Sequence, residues 1–163
     1  MKKILALVLS LMLLACVPAM AEDIESAYEG EWMQFGGDFE IYVPSDWVFY
    51  DVPEEQIEQG TLCMSSSADQ SVWMRLDWYP QEGEITVEEF GAALRQTTDM
   101  QTMIIDVNGI PMLLTGDAAN DTAGFITMNG DEPGYYLFQF APMSSEEEQF
   151  YASYMMSSMR NID

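Results

Sequence analysis

The dipeptide Asn108-Gly109 lies between two apolar runs, 103–107 and 110–115, and no other feature constrains the fold as strongly. Asn-Gly favours the positive φ angles that both central residues of a type I′ turn require. The two runs are therefore predicted to be neighbouring antiparallel strands. Segments 124–128 and 135–140, separated by a longer turn, predict a second antiparallel pair.

The first half of the chain also carries strand patterns. In segment 71–79, apolar residues alternate with a second set of residues, which puts Val72, Met74, Leu76 and Trp78 on one face of a strand. Further strands are predicted for the segments 39–43, 47–52 and 61–66, and a short helical turn is predicted at 53–60. Cys63 lies in an apolar stretch and is predicted to be a buried hydrophobic residue rather than a reactive thiol.

Two capping boxes predict the main helices. Thr86 is followed three residues later by Glu89, and helical spacing of apolar residues then continues to about Thr97. Ser144 and Glu147 form a second box, followed by an apolar stripe that is predicted to run along one helix as far as Ile162.

This order of elements predicts an α+β fold, with an antiparallel β-sheet and two main helices packed on it as an α/β sandwich. The predicted boundaries are a signal peptide at 1–21, an acidic N-terminal leader at 22–37 and a single domain at 38–163.

Three parts of the sequence resemble the PsbP-like fold family. They are the strand and turn Phe39-Glu40-Ile41-Tyr42-Val43-Pro44-Ser45-Asp46-Trp47, the Asn108-Gly109 hairpin, and the aromatic strand 135–140 that leads into the last helix. The family includes an extrinsic subunit of the photosystem oxygen-evolving complex and many small bacterial secreted proteins and lipoproteins. The resemblance spans residues 38–162. It implies a non-enzymatic accessory or binding role, and it carries over no functional residue.

The N-terminus has the layout of a bacterial secretory signal peptide. Lys2 and Lys3 precede an apolar run, and Ala19-Met20-Ala21 supplies small residues before a cleavage site ahead of Glu22. The predicted location is therefore extracellular. Because Leu13-Leu14-Ala15-Cys16 resembles a lipobox, a lipoprotein anchored through Cys16 is the alternative.

The charge balance excludes several partners. The chain has 28 acidic residues and no histidine, and cleavage at Ala21 leaves three arginines, no lysine and a net side-chain charge of −25. Nucleic acids and anionic membranes bind clustered Lys and Arg, so neither is an expected partner. Without His, the chain lacks the usual catalytic triads. We expect a monomer without a cofactor that binds an unknown protein or small ligand.

The outer face of segment 71–79 carries the candidate ligand surface, which consists of Trp73, Arg75, Asp77 and Tyr79. The alternatives are that a helix covers this face, and that Asp77 is a solvated residue or a neighbour of Arg75. The leading hypothesis is a binding or accessory domain without catalytic activity. A carboxylate-dependent extracellular hydrolase and a calcium-stabilised module, with ligands from Asp117 to Asp121, are the other hypotheses.

Overall fold

The computed structural model describes residues 28–36, 39–98, 100–128 and 132–162. The predicted signal peptide, its cleavage site at Ala21 and Glu22, and Cys16 lie outside these residues. Three helices are described: α1 (Glu54–Glu58), α2 (Val87–Thr97) and α3 (Glu146–Ser157). The strands are β1 (Gly30–Phe35), β2 (Phe39–Pro44), β3 (Val48–Tyr50), β4 (Thr61–Ser66), β5 (Trp73–Pro80), β6 (Gln101–Val107), β7 (Ile110–Asp117), β8 (Thr122–Met128), β9 (Gly134–Ala141) and β10 (Arg160–Asn161).

The strands form two antiparallel sheets. In the large sheet the strand order is β3-β4-β5-β9-β8-β7-β6, and in the small sheet it is β1-β2-β10. The predicted hairpin is confirmed, since Val107 pairs with Ile110 and both Asn108 and Gly109 have positive φ angles. The predicted α+β class with an antiparallel sheet is therefore correct, and the strands are divided between two layers.

The main core lies between the large sheet, the small sheet and α3. On β9, Phe138 is fully buried and its ring contacts Phe35 of β1 and Phe39 of β2, with centroids 6.2 and 5.6 Å away. The inward face of β5 contributes Met74 and Leu76, as the alternating pattern predicted. Helix α3 completes this layer with a row of buried side chains, which are Ala152, Met155 and Met156.

Helix α2 packs on the opposite face of the large sheet. Its capping box is confirmed, because the Thr86 side chain accepts the Glu89 N–H while the Glu89 side chain accepts the Thr86 N–H. The helix contacts β6, β7 and β8 and covers a second cluster built from Val87, Leu113 and Ile126. It therefore covers one end of the large sheet and leaves the β3–β5 end without this cover.

The predicted boundaries of α3 are wrong at both ends. Its capping box joins Ser145 to Glu148 rather than Ser144 to Glu147. Both spacings exist in the Ser-Ser-Glu-Glu-Glu run, and the buried Met143 positions the chain for the later one. The helix ends at Ser157, because the chain then extends as β10 and pairs with β2, so Ile162 lies outside the helix.

The prediction that the folded domain begins at residue 38 is also wrong. Residues 30–35, assigned to the acidic leader, form β1 and pair along their whole length with β2. This segment lacks a regular alternation, since the neighbours Trp32 and Met33 are both half-buried. Burial of Phe35 against Phe138 and packing of Met33 on the core add β1 to the small sheet.

Cys63 lies on the core side of β4, opposite Leu76 of β5. Burial raises the pKa of its thiol to about 11. At neutral pH the thiol is therefore protonated, which agrees with the predicted structural role. None of the helices in the described residues combines the length and hydrophobicity needed to cross a bilayer.

Ser158 joins the end of α3 to the small sheet. Its buried hydroxyl donates to the Met155 carbonyl, 2.6 Å away, and accepts the Tyr42 backbone N–H at 2.8 Å. Strand β10 pairs only with Glu40 and Phe39 of β2. The Ser158 side chain therefore supplies the acceptor that the short strand does not provide at Tyr42.

We predict that Ser158→Ala lowers the free energy of unfolding by about 1–3 kcal/mol, because it leaves the buried Tyr42 N–H without an acceptor. Urea denaturation followed by circular dichroism would measure this loss. Ser157→Ala is the matched control, since the Ser157 hydroxyl donates only to the Tyr154 carbonyl and is half-buried. Equal stability losses in the two variants would contradict the prediction.

Candidate functional site

The outer face of β5 carries Trp73, Arg75, Asp77 and Tyr79 together, as the period of two predicted. Their environments differ. Trp73 is 39% exposed, whereas Asp77 is 1% exposed. Arg75 and Tyr79 are half-buried. The structure thus brings all four onto one face and gives each of them a different access to solvent.

Asp77 is buried beneath this surface and is paired. Its Oδ2 accepts a hydrogen bond from Arg75 Nε at 2.8 Å, and its Oδ1 accepts one from Thr61 Oγ1 at 2.7 Å. Thr61 lies directly opposite Asp77 on β4. Of the two predicted settings for Asp77, a solvated surface position is therefore wrong, and the position beside Arg75 is correct.

The pair with Asp77 fixes the direction of the Arg75 side chain. Nε is the guanidinium nitrogen that faces the carboxylate, and the side chain as a whole remains 35% exposed. Within the described residues, the N–H groups on Nη1 and Nη2 of Arg75 have no hydrogen-bond partner. These N–H groups form a fork of donors whose geometry suits a planar acceptor such as a carboxylate or an amide oxygen.

Two rows of residues across β5, β4 and β3 share this face of the sheet with Arg75. In one row Arg75 lies opposite Met64, which lies opposite Tyr50, and in the next row Trp73 lies across Ser66 from Val48. We name the surface formed by Val48, Tyr50, Met64, Trp73 and Arg75 the open face. Val48 and Tyr50 are 44% and 42% exposed. The open face therefore combines apolar and aromatic surface with a single oriented cation.

The Tyr50 ring is held in place on the open face. Its hydroxyl lies 2.7 Å from Ser66 Oγ, and the Ser66 hydroxyl donates its proton to the Ser67 carbonyl. Tyr50 must therefore be the donor in the first bond, because Ser66 has one hydroxyl proton only. An aromatic ring fixed in this way loses little conformational freedom when a ligand binds it.

Tyr79 belongs to a different environment. Its ring packs against Tyr135, with centroids 5.2 Å apart, and Tyr135 packs against Phe90 of α2 at 4.8 Å. Burial, followed by the charge of Asp77, raises the pKa of Tyr79. The predicted alternative of a helix covering the face is therefore correct near Tyr79 and wrong at Trp73.

Sequence reasoning missed Val48, Tyr50 and Met64. A signal was available, because residues 47–50 of the predicted strand 47–52 are apolar on both faces. The pattern alone does not show that β3 is an edge strand. Only the pairing with β4 places Tyr50 in the same row as Arg75, with Met64 between them.

The loop from Asp117 to Asp121 uses its first carboxylate locally. Asp117 accepts hydrogen bonds from the backbone N–H groups of Ala119 and Asn120, and from the Asn120 side-chain amide. These bonds lower the pKa of Asp117. In the part of the chain that the structure describes, no three His, Cys, Asp or Glu side chains group as metal ligands.

We predict that Arg75→Met lowers the free energy of unfolding by about 2 kcal/mol, because it leaves the buried Asp77 carboxylate without its cationic partner. This figure lies below that for a fully buried pair, since Arg75 is partly exposed to solvent. The double variant Arg75→Met/Asp77→Leu should recover part of the loss. Chemical denaturation at neutral pH would measure both.

Arg95→Met is the control for the removal of a cation. Arg95 is exposed and bonds the Thr102 hydroxyl, so its loss should change stability by no more than about 0.5 kcal/mol. If Arg75→Met proves as mild as Arg95→Met, the pair with Asp77 does not stabilise the fold.

The chain matches no family model and no curated protein. It is similar in structure to cyanobacterial PsbP (CyanoP) from Synechocystis sp. PCC 6803, with a TM-score of 0.56 and 11% sequence identity over 81% of this chain and 92% of that protein. A crystal structure from Bacteroides thetaiotaomicron VPI-5482 matches with a TM-score of 0.50 and 13% identity.

The second match covers 83% of this chain, which spans about half, 49%, of the Bacteroides protein. At these identities the similarity concerns the fold. The resemblance noted in the sequence is confirmed at that level: this chain has a PsbP-like fold, a single α+β domain with a large antiparallel sheet and, in the described residues, three helices.

Proposed function

We propose that this protein is a non-catalytic binding or accessory domain that acts outside the bacterial cell, and that its ligand is a segment of a partner protein bound at the open face. One observation carries this proposal. Arg75 is held by the buried Asp77, its Nη groups are without partners among the described residues, and Trp73 and Tyr50 are exposed on the same face of the sheet.

This arrangement suits recognition of a polypeptide. Backbone and side-chain carbonyl oxygens are planar acceptors that the Arg75 fork can bind, and the rings of Trp73 and Tyr50 provide large contact areas. Aromatic residues and arginine are the side chains that most often dominate the energy of protein interfaces. Because Asp77 fixes the guanidinium before binding, little side-chain entropy is lost on contact.

The surroundings of Asp77 support binding rather than carboxylate catalysis. Glycoside hydrolysis uses two carboxyl groups about 5–10 Å apart on either side of the bond that breaks. Among the described acidic residues, Asp77 alone is buried, and both of its oxygens accept hydrogen bonds from the protein. A carboxylate in this position serves to orient Arg75.

A selection with random peptides displayed on phage tests this function. We expect peptides to be enriched on the wild-type protein at about 0.15 M salt. Their binding should fall by about tenfold or more in Trp73→Ala and in Arg75→Lys, because lysine keeps the charge but lacks the planar fork. Peptide affinity would be measured by fluorescence polarisation.

Met100→Ala is the matched control for this selection, since Met100 is an exposed apolar residue in the loop before β6, 37% accessible. Its affinity for the selected peptides should equal that of the wild type. Peptides that bind the wild-type protein and all three variants equally, or no enrichment at all, would refute the role of the open face.

We further propose that the protein is exported as a free protein after cleavage between Ala21 and Glu22. Mass spectrometry of the mature protein from the native bacterium should then find a chain that begins at Glu22. A chain that begins at a diacylated Cys16 would instead identify a lipoprotein, because lipoprotein maturation makes the modified cysteine the first residue. The intact precursor would contradict both processing routes.

A further inference from the structure

We infer that the free edge of β3 is a site where an extended partner segment adds as a further strand, and that this segment has a short apolar centre with basic residues at both ends. The inference rests on the proposed function and specifies how the partner is held. Adding a strand satisfies backbone groups along the edge and brings the partner onto the open face.

The first observation concerns the edge itself. Strand β3 pairs with β4 on one side, and no strand in the described part of the chain pairs with its other side. All three of its residues are exposed and apolar or aromatic. Edge strands usually carry charges that discourage pairing. The opposite edge strand, β6, exposes Gln101, Ile104 and Asp106, so it includes a charged residue, whereas β3 includes none.

The second observation is the distribution of exposed apolar side chains. Among the described residues, ten large hydrophobic side chains are exposed, and six of them lie on β3, α1, β4 and β5, namely Val48, Phe49, Tyr50, Ile57, Leu62 and Trp73. The apolar surface is thus concentrated at the end of the sheet that has the free edge. A concentration of this kind marks an interaction surface.

The chain around β3 is strongly acidic. Residues 39–74 contain seven acids and no Lys or Arg. Asp46 and Asp51 bracket β3, and Glu54 and Glu55 follow at the start of α1. These carboxylates disfavour a second copy of this acidic chain at the edge, and they attract a segment with basic ends.

More carboxylates gather at the start of β3. Trp47, which precedes the strand, packs on the ring of Tyr151 with centroids 6.1 Å apart. Burial and then the charges of Asp46, Glu147 and Asp69 raise the pKa of Tyr151. Asp46, Glu147 and Asp69 come from three chain segments, and their negative charge near Tyr151 favours a basic residue of the partner at this end of β3.

Binding of designed peptides tests the inference. The probe is Lys-Lys-Val-Thr-Val-Lys-Lys with blocked ends, and its control is Glu-Glu-Val-Thr-Val-Glu-Glu. We expect the basic peptide to bind at least about tenfold more tightly, with an affinity that weakens as salt rises. Isothermal titration calorimetry would measure both peptides. Equal affinities would overturn the assignment of a basic partner.

Backbone methylation of the probe tests strand addition directly. Alternate residues of an added strand direct their N–H groups toward the sheet edge, and the others direct them to solvent. N-methylation at the odd-numbered and at the even-numbered positions should therefore have unequal effects, with one pattern reducing affinity at least about tenfold. Equal effects of the two patterns would overturn strand addition, and this comparison leaves the protein unchanged.

A variant pair locates the site on the protein. Val48→Lys should weaken the basic probe at least about tenfold, while Ile162→Lys adds the same charge at a residue of similar exposure, 39% against 44%, and should have little effect. Equal effects would overturn the assignment to β3. A wild-type dimer that Val48→Lys dissociates would also overturn it, by making a second copy the occupant.

These outcomes separate the inference from the proposed function. If selected peptides depend on Trp73 and Arg75 but the basic probe does not bind, the proposed binding function stands. Strand addition at the β3 edge is then rejected. If the selection fails but the probe binds and is sensitive to methylation, strand addition at β3 stands. The proposed role of Arg75 is then rejected.

Discussion

One apolar layer between the two sheets determines where every other part of the molecule lies. Phe138 of β9 is at its centre, fully buried, and receives Phe35 and Phe39 from the small sheet on one side. A small sheet of this kind is not stable alone in water, so it exists only because its apolar face is covered here. The same layer requires α3 to turn its methionines inward, and the outward residues of β5 and β9 must then form a second surface.

The sequence predicted the elements whose signals are local. The Asn108-Gly109 turn and the Thr86 capping box each depend on residues within four positions of one another, and both occur as predicted. Strands β1 and β10 were missed because their stability comes from pairing with β2 and from contacts with distant residues. Ser158 illustrates the point, since its hydroxyl bonds the Tyr42 N–H across 116 positions of the chain.

The candidate surface was predicted only in part, because some of its features also depend on contacts between distant residues. A period of two placed Trp73, Arg75, Asp77 and Tyr79 on one face. It gave no indication that Asp77 is buried, because the hydroxyl that makes burial tolerable comes from Thr61 on another strand. It also could not show that α2 ends its cover near Tyr79 and leaves Trp73 exposed. Strand order decides both facts, and strand order depends on the whole chain.

The scarcity of cations gives each arginine a distinct structural setting. Arg160 pairs with Glu40 and lies 3.6 Å from the Trp32 ring centroid, Arg95 bonds Thr102 beside α2, and Arg75 is oriented by a buried acid. The acids that outnumber them have a physical consequence at the exposed apolar edge of β3. Such an edge invites pairing between identical chains, but two copies meeting there would bring their bracketing carboxylates together. The negative charge therefore disfavours self-association at this edge and, in the proposed strand addition, favours segments of the opposite charge.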